Sequence, residues 1–101
     1  MYKALVVEDE ADIRNLLAEQ LEDMGCEVRN AAHGAAALRR IREVRPDIVF
    51  VDIMMPVVDG IDLITELREN PETSDLPVVL VTAVSTPAIT LRAIELGVKY
   101  R

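Results

Sequence analysis

Short apolar runs alternate along this chain with longer segments whose apolar residues recur every three or four positions. Residues 4–7 (ALVV) form a compact apolar run that gives way at once to Glu8, Asp9 and Glu10. Ile13, Leu16, Leu17, Leu21 and Met24 follow at helical spacing, and Gly25 is placed to stop that helix. Residues 26–30 alternate as a short, partly exposed strand in which Cys26 reads as a small buried residue. Residues 35–44 then set Leu38, Ile41 and Val44 on a helix closed by Pro46. The runs 48–51 (IVFV) and 78–81 (VVLV) are apolar at consecutive positions, as in strands covered on both faces, and they end at Asp52 and Thr82. Between them, Ile61, Leu63, Ile64 and Leu67 mark a third helix, and residues 70–76 read as a polar loop. Residues 88–96 predict a fourth helix, with Pro87 in its first turn and Gly97 just past its end.

Strand then helix, four times over, predicts one α/β domain spanning residues 1–101 with a parallel sheet. Half the residues are hydrophobic but only 3% are aromatic, so the core must be aliphatic. A net charge of −7 argues against a nucleic-acid surface, since phosphates attract positive stripes and none is read along the chain. A lone cysteine forms no internal disulfide, no run reaches the roughly 18–20 apolar residues of a membrane span, and the first residues enter a strand directly. A cytoplasmic protein is the expectation.

The chemistry gathers at strand ends. Glu8 and Asp9, Asp52, and Thr82 each follow an apolar run directly. In open parallel sheets ligands bind at the carboxyl ends of the strands, so residues remote in sequence can share one cleft. Solvated loops would account for any one of these residues, but poorly for their common placement. Carboxylates brought close together repel unless one is protonated or a cation binds. An all-oxygen set favours Mg²⁺ over zinc. An aspartate beside such a metal can attack phosphorus, with Thr82 positioned to donate to a phosphoryl oxygen. Met55-Pro56 and Asp59-Gly60 shape the loop after Asp52.

Glu8-Asp9, the segment DIMMPVVDG at residues 52–60, and Thr82-Ala83 together resemble response-regulator receiver domains of two-component signalling. The resemblance implies a doubly wound, flavodoxin-like (βα)5 fold with strand order 2-1-3-4-5. It implies Asp52 as the phosphoacceptor, Asp9 as a direct Mg²⁺ ligand, and Glu8 as a ligand acting mostly through water. The Met54 backbone carbonyl would complete the protein ligands with Asp52. Thr82 would be the switch hydroxyl, and Ala83 would present its backbone N–H and keep the approach open. The resemblance implies a histidine kinase or phosphotransfer protein as phosphodonor, not a residue of this chain, and the lone His33 reads as an exposed surface residue. The domain would not be a conventional enzyme, but would assist its own phosphorylation and dephosphorylation.

The family also carries a lysine at the end of its fifth strand, preceded three residues earlier by a switch aromatic. Counted from Gly97, that lysine falls beyond Arg101; Lys99 comes too early, and the nearest aromatic is Tyr100. The chain is therefore expected to hold only the first four βα units and to belong to a longer product; taken alone it should not be a stable monomer, with partial unfolding, self-association through the exposed edge, or cover from further residues as the open outcomes. An output domain or effector is the expected further partner. Two other functions compete. A phosphorylation-independent pseudo-receiver would tolerate the missing lysine. A small-molecule phosphatase would need a second aspartate two residues after Asp52, where Met54 stands.

Overall fold

A computed structural model describes residues 2–52, 60–81, 97 and 99–100. The elements run β1 (Lys3–Val7), α1 (Ala11–Asp23), β2 (Glu27–Ala31), α2 (Gly34–Glu43), β3 (Ile48–Asp52), α3 (Gly60–Glu69), β4 (Val78–Val81) and β5 (Lys99–Tyr100). All pairings are parallel, and the strand order is β2-β1-β3-β4-β5. This is the expected 2-1-3-4-5 order. The predicted helix at residues 88–96 lies outside the described residues.

One expectation needs correction. Lys99 and Tyr100 pair with Val79 and Leu80, so the chain carries two residues of the fifth strand and does not end before it. Two residues are too few to show as a run in the sequence, which is why the pattern missed them. The same register upholds the reading that Lys99 is not the strand-end lysine. It is level with Val79, two positions before Val81, about 7 Å short of the strand ends.

Strand alternation divides the apolar residues between two layers. Leu5, Val7, Val49, Val51, Val78 and Leu80 share one buried cluster with Ala37 and Ile41 of α2 and Leu63, Ile64 and Leu67 of α3. Ala4, Val6 and Val79 take the opposite parity and are also buried. On α1 only Ala18 is buried, while Ile13 and Leu16 are 41% and 55% exposed. Ile48 and Phe50, of that same parity, are half-buried. The layer over α2 and α3 is closed; the α1 layer is thinner.

The helix ends follow local chemistry. Gly25, at φ +93°, takes the left-handed conformation after Met24. The N–H of Cys26 donates to the Leu21 carbonyl at 3.1 Å and that of Gly25 to Glu22 at 2.9 Å, the paired bonds of a Schellman stop. His33 is not the exposed bystander expected. It is half-buried and caps α2, its Nδ1 accepting from the Ala36 N–H at 3.2 Å. Cys26 is half-buried instead of buried.

The loop at residues 70–76 is also more than polar connection. Thr73 is buried and its hydroxyl donates to the Leu67 carbonyl at 2.7 Å, satisfying one of the carbonyls that the end of α3 leaves free. Leu76 is fully buried in the core cluster. Arg68 reaches back to the carbonyls of Ser74 and Leu76 at 3.2 and 2.7 Å. Desolvation by burial lowers its guanidinium pKa, against a smaller opposing effect of Asp75.

Candidate functional site

Register decides which strand ends meet. Val7 of β1 lies opposite Val51 of β3, and Asp52 lies opposite Val81 of β4. Neighbouring strands sit about 4.8 Å apart. The backbone of Asp52 is therefore level with Glu8 on one side and flanked by Val81 on the other. Thr82 and Ala83, which follow Val81 in sequence, lie outside the described residues, as does Met54.

Glu8 and Asp9 differ in their surroundings. Glu8 is 2% exposed. Its N–H extends the β1–β2 ladder to the Ala31 carbonyl at 3.0 Å, and its Oε1 accepts from the Glu10 N–H at 3.1 Å. Its carbonyl accepts from Arg14 Nη1 at 2.9 Å, tying the strand end to α1. Asp9 is exposed. A buried, tethered carboxylate beside an exposed one suits indirect and direct contact with a cation, respectively. Among the described residues, no three carboxylate, histidine or cysteine side chains gather into a metal-binding group. The donors given by the sequence are all oxygen, and Glu8 and Asp9 open on the end of the sheet where Asp52 stops, so the residues fit a hard divalent cation.

The other aspartates near β3 and α3 stand elsewhere. Asp47 lies at the opposite end of the sheet, where its Oδ2 accepts from the Lys3 N–H at 2.7 Å and its own N–H donates to the Lys3 carbonyl at 2.8 Å. Asp62 is on the first turn of α3 and exposed.

The charge reading also needs correction, because the molecule does carry a positive surface. Residues 29–45 hold five arginines against one glutamate, a net +4 that leaves −11 for the remainder of a chain of −7. All five arginines are exposed. They are spaced between apolar core positions, so a whole-chain charge hides them. A windowed charge count would have shown the excess of arginine, but not that packing gathers it into one surface.

The fold is that of a receiver domain, and comparison with known proteins agrees. Residues 4–100 match the response regulator receiver domain family, and the chain belongs to that family. It is 39% identical over 95 residues to a probable transcriptional regulator ycf27 of Porphyridium aerugineum, covering 94% of this chain and 38% of that protein. The phosphate regulon transcriptional regulatory protein PhoB of Rhizobium meliloti is also 39% identical over 95 residues, with 94% and 42% covered. The chain thus spans about two-fifths of the length of these curated relatives. Among solved structures, chemotaxis protein CheY4 of Vibrio cholerae superposes with a TM-score of 0.92 at 29% identity, covering 99% of this chain and 83% of that one. The N-terminal domain of a response regulator receiver protein from Methanoculleus marisnigri gives 0.92 at 30% identity, with 100% and 83% covered. Domains of this family belong to two-component response regulators and are phosphorylated. Among the described residues, no helix is long and apolar enough to cross a membrane.

Proposed function

We propose that Asp52 accepts the phosphoryl group and that Thr82 converts its arrival into a conformational change. The reading rests on one observation: the register that sets the end of β3 between the ends of β1 and β4. A carboxylate oxygen of Asp52 attacks phosphorus, the bond to the donor breaks, and an acyl phosphate forms as the donor leaves with its electron pair. Asp9, Asp52 and the Met54 carbonyl would hold Mg²⁺, with Glu8 contributing mainly through water. When bound, the ion would offset charge on the phosphoryl oxygens. The Ala83 N–H and Thr82 hydroxyl donate to those oxygens. The donor is a histidine kinase or phosphotransfer protein, and the receiver of the signal is an output domain or effector.

Acetyl phosphate with Mg²⁺ tests this directly. It should add one hydroxylamine-labile phosphoryl group per chain, and Asp52→Asn should abolish the addition while leaving the circular dichroism spectrum unchanged. A label mapped to Asp47, Asp59 or Asp62 in folded protein would refute the assignment. Beryllofluoride binding that requires Asp52 and Mg²⁺ would separate a working receiver from a pseudo-receiver.

A further inference from the structure

The basic surface lies beside an open sheet edge. β2 is the outermost strand on its side, with no strand beyond it among the described residues. Glu27 donates its N–H to the Tyr2 carbonyl at 2.8 Å, and the Ala31 carbonyl accepts from Glu8 at 3.0 Å. Backbone groups alternate in direction along a parallel strand, so those of Val28 and Asn30 point away from the sheet. At the C-terminal end of this edge lies a groove of about 390 Å³, with Asn30, Ala31 and Ala32 on one side and Ala36, Arg39, Arg40 and Glu43 of α2 on the other, so two arginines face it against one glutamate. Arg29 and Arg40 line a small adjoining crevice with Lys3 and Glu27, which places Arg29 on the α2 side of the edge. Of the five arginines only Arg45 forms an ion pair among the described residues, with Asp75.

We infer that the β2 edge and the arginines of α2 form a docking surface for an extended acidic peptide of a partner protein. Such a segment would add as a sixth strand, pairing its backbone with Val28 and Asn30. Side chains of a strand alternate between faces, so every second residue would project over α2 toward Arg29, Arg39 and Arg40. Carboxylates at alternate positions are the matching pattern. Nucleic acid fits less well: it cannot continue the backbone ladder, and the −11 carried by the rest of the chain repels a long polyanion. A second copy pairing edge to edge would bring the same arginines of both molecules together, and like charges oppose it. This edge lies two strands from β3, roughly 10 Å across the sheet, and no phosphoryl group takes part in the contact.

The test uses the full chain and an end-blocked ten-residue peptide of alternating glutamate and threonine. By fluorescence anisotropy, Arg39→Gln/Arg40→Gln should weaken binding at least tenfold, with Arg39→Lys/Arg40→Lys retaining most of it. Hydrogen exchange at the Val28 and Asn30 amides should slow at least tenfold on binding, while Glu27 and Arg29 stay unchanged. A peptide with the same charges, N-methylated at alternate residues on its pairing edge, should lose at least tenfold. Equal binding of the methylated peptide, or of one with its glutamates in a block, would overturn strand addition. So would single-stranded DNA of equal length that binds more tightly than the peptide. Protection of Val28 and Asn30 that grows with protein concentration alone would show a second copy at the edge and overturn the peptide assignment.

Discussion

Val7 and Val51 are register partners in adjacent parallel strands, so Glu8-Asp9 and Asp52 leave the sheet side by side. Within the proposed Mg²⁺ site, the exposed Asp9 and the buried Glu8 should therefore respond differently to loss of charge. Asp9→Asn should weaken Mg²⁺ roughly tenfold, about 1.4 kcal/mol. Glu8→Gln should cost less, because the side chain can still accept from the Glu10 N–H and acts on the ion at second hand. Calorimetric Mg²⁺ titration of the two variants checks the order. Equal affinity in wild type and Asp9→Asn would remove Asp9 from the site.

Thr73 offers a test on stability. Its hydroxyl satisfies the Leu67 carbonyl at the end of α3 in a buried position. Thr73→Val keeps the shape but leaves that carbonyl without a donor, and should cost about 1–3 kcal/mol in urea melts. Thr73→Ser keeps the hydroxyl and should recover most of the loss. Equal melts for Thr73→Val and wild type would mean that water replaces the bond.

The Arg45–Asp75 pair predicts a pH response of defined sign. The Arg45 hydrogen bond, with smaller help from the Asp75 backbone and the Arg45 charge, holds the Asp75 pKa below its usual 3.8. A lowered carboxylate pKa stabilises the fold above the unfolded value, and that contribution is lost as pH falls through the lower folded one. Side-chain carboxyl shifts followed by NMR should show Asp75 titrating below 3.8 in wild type and moving upward in Arg45→Gln. Both groups are well exposed, so the effect on melting should be small.

Legibility from sequence tracked how far each feature rests on periodicity. The β3 and β4 runs of four apolar residues, and the helical spacing of Leu38 and Ile41, located strands and helices to within a residue or two because burial itself imposes those periods. The strand ends carrying Glu8, Asp9 and Asp52 were readable for the same reason. Features made by single contacts were not. Thr73 and Leu76 sit in a polar stretch and gain their roles only from meeting Leu67 and the core. His33 became a cap through one bond to Ala36. Arg29, Arg39 and Arg40 become one surface only when β2 and α2 are packed together.

The α1 layer gives the last prediction. Ile13 and Leu16 are about half exposed and Met24 is 77% exposed, while Leu17 and Leu21 are only half-buried. These residues recur at helical spacing, which normally marks a buried stripe. Further burial of Ile13 and Leu16 stands to gain about 1 kcal/mol each, and two copies meeting through this face would double that. The 101-residue chain should therefore associate reversibly in sedimentation experiments. Ile13→Ser/Leu16→Ser should raise the dissociation constant at least tenfold, while loss of the half of each side chain already buried costs the monomer about 1 kcal/mol each in urea melts. Salt supplies a second signature. α1 carries Asp12, Glu19, Glu22 and Asp23 against Arg14 alone, so two such faces repel. Screening that repulsion should strengthen association as salt rises, the reverse of what an ion-paired interface would show. The roughly 4 kcal/mol on offer corresponds to a dissociation constant of about 1 mM, so a chain that stays monomeric at about 1 mM, in both low and high salt, would mean that these apolar side chains are tolerated in water singly, as scattered surface residues are.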